Sequence, residues 1–357
     1  MEDREISQFI PYTYAYDQFT AFFYGGRVFL GGKDRPIGQR VVDIMNLDDE
    51  VLDEINRRMW QMIPAARALL KENADSAAAS VQEKLNAVWE LLFKLPVYQD
   101  LQMDEDCYHA FENLVADRKS WARVRDTTTR EHRDYQSILT EFGWFIDRLR
   151  QFRQQISLLT EDYFEPLKRR GSAAYAEAYS VFYMDMVKLN ALAFQEDFSQ
   201  SAPVEMSFVP MMHPTNAGEV FVAEKITFSK LTDFLQTEFY RGLALGNAPR
   251  RCHNCGKYFL LTAGYNTCYC NNIAPGEAVR TCRKVGAHRK EARGKANRTP
   301  AQREYDRAYN RLRARKQRGK INTAEWNDAV AKAQELRDRS ERGELTDEEL
   351  KRKLEEL

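Results

Sequence analysis

The chain has 357 residues, 43% hydrophobic and 30% charged, the balance of a soluble globular protein with room for roughly two to three domains. No apolar run approaches the roughly 18 residues of a membrane span, and the acidic, polar start MEDREISQFI lacks the basic-then-apolar order of a secretory signal, so a cytoplasmic protein with no membrane partner is expected. The 53 Lys+Arg and 53 Asp+Glu cancel, yet residues 245–320 hold 19 basic and four acidic residues, a net +15, which leaves −15 for the rest. Such asymmetry reads as a basic surface for an anionic partner, or as a basic segment docked on the chain's own acidic part.

The first stretch is aromatic-rich. Tyr12, Tyr14 and Tyr16 alternate with small or polar residues in strand fashion, and Gly25-Gly26 and Gly31-Gly32 bracket RVFL as a short strand between turns. Helical spacing follows. Residues 51–72 carry an apolar stripe with Pro64 as a break or kink. SVQEKLNAVWELLFKLP reads as a helix capped by Ser80, with Glu83 completing a capping box and Val81, Leu85, Val88, Leu91 and Leu92 on one face. Residues 130–159 align Tyr135, Ile138, Leu139, Phe142, Phe145, Ile146 and Leu149, and 173–198 form a further helix. Apolar stripes bury against one another, so the pattern predicts a bundle.

The period then changes from helical to alternating. VEMSFVPMM and EVFVAEKITF read as two strands of a hairpin around the turn-like HPTNAG. Ser229 caps the next helix, which places Leu231, Phe234, Leu235 and Phe239 on one face. The expected fold class is mainly α with a minor α+β part: a helical N-terminal region with short β-hairpins over 1–245, a small four-cysteine module over 246–298, and a basic helical tail over 299–357.

Five of the six cysteines fall between Cys252 and Cys282; Cys107 stands alone and reads as a buried small residue. In a cytoplasmic chain such a cluster indicates metal ligands or redox groups before disulfides. Cys252-His-Asn-Cys255-Gly256 has the form of a knuckle: two intervening residues let a tight turn aim both thiolates at one ion, and Gly256 tolerates the left-handed conformation that closes it. A structural Zn²⁺ needs four ligands. Cys268, Cys270, Cys282 and His288 are available for the second pair, and Cys268 and Cys270 point the same way in an extended segment. A redox C-x2-C belongs at a helix N-terminus, whereas this pair runs into the strand-like KYFLL. His253, Asn254 and His288 lack the spacing of a His–Asn–His nuclease, and His109, His132 and His213 form no constellation. No phosphate-binding loop, dinucleotide fingerprint or nucleophile elbow is present, so no catalytic residue is assigned.

CHNCGKYFL, YC and TCRKVGAHRK resemble the treble-clef or zinc-ribbon-like finger of an uncharacterised bacterial family, and are more distantly similar to CGNR-type zinc fingers of transcriptional regulators. The resemblance implies zinc held by Cys252, Cys255, Cys270 and Cys282, with an Arg-rich helix after the last ligand. The sequence departs from the CGNR pattern in having 11 residues, NNIAPGEAVRT, between Cys270 and Cys282, and RKVG where Gly-Asn-Arg is found.

The last segment predicts helices sharply. Thr299 is an N-cap, Pro300 takes N1, Gln302 at N3 completes a capping box and Gly319 is a C′ stop. Ala301, Tyr305, Ala308, Tyr309 and Leu312 form a narrow stripe. Arg303, Arg307, Arg311 and Arg318 fall broadly opposite, and with Arg283, Lys284, Arg289 and Lys290 they are candidate phosphate contacts to DNA or RNA. RGKINTAEW and RGELTDEEL repeat at a 24-residue offset with capping boxes Asn322/Glu325 and Thr346/Glu349. The second resembles short C-terminal helical modules of bacterial proteins, which implies self-association or a protein partner. The expected function is zinc-dependent nucleic-acid binding, with a protein–protein scaffold or a nucleic-acid enzyme as the alternatives.

Overall fold

A computed structural model describes residues 19–70, 75–101, 118–193, 204–213, 218–228 and 230–357. The strand reading of Tyr12, Tyr14 and Tyr16 lies outside these residues, as do Cys107, His109 and the Ser229 cap. The fold is mainly α with a minor β part. The chain divides into two compact units at Cys270 and Asn271, a boundary inside the cysteine-rich segment.

In the first unit, strands β1 (Phe19–Tyr24), β2 (Arg27–Leu30) and β3 (Lys33–Pro36) form a meander. Beside it lies the hairpin of β4 (Glu205–Met212) and β5 (Val220–Phe228), registered from Glu205 opposite Thr227 to Met212 opposite Val220. Alternation along the chain predicts the β4–β5 hairpin and, of the meander, only the RVFL strand. The structure joins them, because β1 pairs with β5 and produces one antiparallel sheet of order β3-β2-β1-β5-β4.

Helices α1 (Gln39–Met45), α2 (Asp49–Ala68), α3 (Asp75–Leu92), α4 (Pro96–Leu101), α5 (Arg118–Arg125) and α6 (Arg130–Leu158) follow the meander. The expected stripes are buried: Val81, Leu85, Val88 and Leu92 of α3, and Tyr135, Leu139, Ile146 and Leu149 of α6, share a core with Leu52, Ile55 and Met59 of α2. Two expectations are corrected. Of the break or kink expected at Pro64, the break is absent, since α2 runs through the proline to Ala68. Ser80 is not an N-cap: α3 starts at Asp75, and the Ser80 hydroxyl accepts from Lys84 inside the helix. The Ala-rich DSAAAS stretch is strong helix-forming sequence, so the helix nucleates before the capping-box pattern and passes through it.

After α6 the backbone widens into a π-helical turn (Leu159–Phe164), closed by Glu165 N donating to Thr160 O at 3.0 Å. Helix α7 (Ser172–Ala193) follows, and α8 (Leu231–Ala244) starts with Lys230 at its N-cap and buries Leu231, Phe234, Leu235 and Phe239. Its Glu238 is also fully buried, where its carboxylate accepts from Gly38 N at 2.9 Å and Arg40 N at 3.4 Å at the start of α1. Burial, partly offset by Arg40 and these N–H donors, pushes Glu238 up to about 7 from 4.5. The unfolded chain releases this proton near the ordinary value and the folded chain near 7, so the folded state holds the extra proton in between. Stability from this group is therefore full below about 4.5, falls as pH rises toward 7, and is level above, a loss of about 3 kcal/mol. Denaturation at pH 5 and pH 7.5 should show that fall in the parent protein and a much smaller one in Glu238→Gln.

In the second unit, α9 (Cys282–Ala296) is followed by α10 (Pro300–Gln317), α11 (Thr323–Glu341) and α12 (Asp347–Glu355). Thr299 caps α10 by accepting from Gln302 N, although the Gln302 side chain reaches Asp306 and leaves the box half made. Both repeat boxes are complete, at Asn322/Glu325 and Thr346/Glu349. Gly319 and Gly343 take left-handed φ of 67° and 79°, which is why each repeat has Gly at its second position. Ala301, Tyr305 and Ala308 of α10 pack with Ala333 of α11 and with Leu350 and Leu354 of α12. The stripe thus finds its apolar partner within the tail. Among the described residues, no helix is long and apolar enough to cross a membrane.

Candidate metal centre

Strands β6 (Ala248–Arg251) and β7 (Tyr258–Leu261) pair antiparallel, and the knuckle is their turn. Cys252 N donates to Lys257 O at 2.9 Å and Gly256 N to Cys252 O at 2.8 Å, with Gly256 at φ 75°. A Cβ at that φ is strained, so the glycine fits the tight turn the two thiols require. Beyond β7 the chain returns: His253 N donates to Cys268 O at 2.9 Å, and Cys270 N points at Cys252 Sγ at 3.4 Å. The 11 residues before Cys282 are not slack. They fold back through Ala274 N to Arg280 O at 2.9 Å and Cys282 N to Asn272 O at 2.8 Å, with Gly276 turning at φ 77°.

The result is that the Sγ atoms of Cys252, Cys255, Cys270 and Cys282 all lie within 4.8 Å of one another, and those of Cys255 and Cys270 are 3.7 Å apart. That is too far for a disulfide, whose bond is about 2.05 Å, and all four are free thiols. The choice the spacing left open between Cys268 and Cys270 falls to Cys270. It is buried and in the cluster, whereas Cys268 is half-buried and outside it. Burial alone raises the Cys252 thiol, but N–H donors from Cys270, Cys255 and Asn254 outweigh it and lower the thiol to about 7. Such thiolate-favouring donors suit a metal ligand, and the four cysteines could hold a metal ion.

Residues with no motif of their own brace the knuckle. Glu165, just past the π turn, accepts from Arg250 at 3.0 Å, lies 3.2 Å from Arg170, and meets His253 Nε2 at 2.8 Å. Burial pushes this carboxyl up, but Arg250, His253 and Arg170 hold it below the usual glutamate value. Asn46, after α1, receives Tyr258 N at 2.8 Å and donates to Tyr258 O at 2.9 Å, so its amide acts as a strand partner for β7. His253 thereby braces the knuckle and lies outside the cysteine cluster.

Of the candidate phosphate contacts, Arg283, Lys284, Arg289 and Lys290 are exposed on α9, and Arg303, Arg307 and Arg318 are exposed on or next to α10. Arg303 Nε donates to Arg298 O at 3.2 Å, and Arg307 pairs with Glu304 at 2.6 Å. Arg311 is exposed, as expected, but it is not uncommitted. Its guanidinium donates to Leu354 O at the end of α12, because α12 packs alongside α10 and its terminal carbonyls need donors.

Residues 199–357 match DUF6076, a family of unknown function. The DUF6076 stretch takes in the β4–β5 hairpin, α8, the knuckle, all four clustered cysteines and helices α9 to α12. No curated protein and no solved structure matches the chain.

Proposed function

We propose that the four cysteines hold zinc and that the chain is a cytoplasmic nucleic-acid-binding protein. It would bind through the basic segment that follows the last ligand. An all-thiolate set of four favours a soft tetrahedral ion over magnesium or calcium. Zn–S bonds of about 2.3 Å place sulfurs about 3.8 Å apart, and the 3.7 Å between Cys255 and Cys270 supports that reading.

The observation that carries the nucleic-acid reading is a run of exposed cations with few acids among them. Residues 280–320 hold 16 Lys and Arg against Glu291, Glu304 and Asp306. All eight candidate side chains are exposed, and Arg311 is the one that donates to a carbonyl of the tail. Arg318 has no ion-pair partner among the described residues, and the pair at Arg307 is an exposed contact of little strength. A second reading, a protein-binding scaffold with a structural zinc site, draws on Arg311 and Arg315, whose donors serve the terminal carbonyls of the tail at Leu354 and Leu357.

Changing Arg303, Arg307 and Arg318 together to Ala separates the two. Loss of three phosphate contacts should lower the slope of log K against log salt by about 2 to 3 on duplex DNA, with the melting curve unchanged because all three side chains are exposed. Binding and slope equal to the parent's would remove this face from the reading.

A further inference from the structure

The first unit carries an open cleft of about 610 Å³ against the knuckle, within the range of small-molecule sites, about 300–1,000 Å³. Its walls are the end of α1, α6, the π turn and the knuckle strand. Four cations line it, Arg150, Arg153, Arg251 and Lys257, against two acids, Asp49 and Glu161.

The acids are already engaged. Arg153 holds Asp49 at 2.6 Å; Arg251 lies 3.3 Å from Glu161, which also accepts from the Tyr258 hydroxyl. Arg150 pairs with Asp53, which is not part of the lining. Lys257 is exposed and has no ion-pair partner among the described residues. The cleft therefore presents a positive surplus with one uncommitted ammonium, and two Arg forks on one face of α6. A second, independent feature is the π turn that supplies Glu161. Such turns are rare and gather at functional sites, where they re-aim side chains.

We propose that this cleft binds a phosphate ester, with Lys257 as the principal free cation and Arg150 and Arg153 as the planar donors beside it. Guanidinium forks match phosphate oxygens, and a mobile ammonium closes on them as a point charge. The phosphate can belong to a free mononucleotide or to a nucleic-acid strand, and the chemistry at the cleft is the same. The site goes beyond the proposed function, since none of its residues belongs to the basic segment assigned there.

Calorimetric titration of the full-length, metal-loaded protein tests it with adenosine 5′-monophosphate, inorganic phosphate and adenosine. The nucleotide should saturate with a Kd below about 1 mM, phosphate should compete, and adenosine should bind at least about 10-fold more weakly. Lys257→Glu should raise the nucleotide Kd about 10-fold or more with metal content and melting curve unchanged, while the Arg303, Arg307 and Arg318 triple variant should leave it unaltered. An oligonucleotide without a terminal phosphate that displaces the nucleotide identifies the strand as the source; failure to displace identifies the free ester. The proposal is overturned by no saturation, by adenosine binding as well as its phosphate, or by a Kd that Lys257→Glu does not move.

Discussion

Cys252→Ser should yield protein that no longer holds stoichiometric zinc and whose 252–282 segment is open to protease. Cys252 is 1% exposed, and its backbone closes the knuckle through Lys257 O while its sulfur receives Cys270 N. A serine hydroxyl is a poor zinc ligand and leaves three sulfurs facing each other without a cation between them. Among the described residues the segment has no large apolar core of its own, so bound zinc would supply its folding free energy, typically about 10–16 kcal/mol for structural zinc in small fingers. Metal content and limited proteolysis report the effect together, and Cys268→Ser is the control, since Cys268 lies outside the cluster. Full zinc content and native protease resistance in Cys252→Ser would refute the ligand set.

Asp100→Ala should be the most damaging single change in the first unit's interior outside the knuckle. Arg40 is completely buried, donates to Lys33 O at 3.0 Å, and lies 3.0 Å from Asp100, itself completely buried. Arg35 donates to the same carboxylate at 2.9 Å, and Lys33 approaches it at 3.3 Å. Removing the carboxylate takes from a buried guanidinium its ion-pair partner and leaves it the field of Glu238 and two carbonyls, a loss of about 3 kcal/mol and a melting shift on the order of 10 °C. Replacing both charges, Arg40→Met with Asp100→Leu, should recover only part of that loss, since the apolar pair has no charge to desolvate but buried Glu238 loses the cation beside it. A melting curve unchanged in Asp100→Ala would show that the pair contributes nothing to stability.

How far these features were readable depends on the range of the interactions behind them. Caps and stripes are local. Thr299, Asn322 and Thr346 stand where the rules put N-caps, and the ligand set could be narrowed to one choice, Cys268 or Cys270. Ser80 and Pro64 show the limit of local rules: strong helix formers before Ser80 extend α3 past a valid cap, and α2 carries a proline in its interior. The long-range partners left no local trace. β1 meets β5 with Phe19 opposite Phe228, Glu238 caps α1 from α8, and Glu165 braces His253 across 88 residues. Each is a pairing of ordinary residues whose meaning comes only from position. Arg311 is outward, as the helical wheel has it, but its bond to Leu354 O is invisible there because the wheel does not contain α12.

The measurement that tests the account most directly is binding of zinc-quantified, full-length protein to labelled duplex DNA and RNA across a salt series. The account predicts saturable binding at low salt and a log–log slope at least as steep as about −4, since seven exposed cations are available to displace counterions. No binding to either nucleic acid near roughly 50 mM salt, or binding that salt does not weaken, would contradict it. The +15 segment would then have to serve a protein partner or the chain's own acidic remainder.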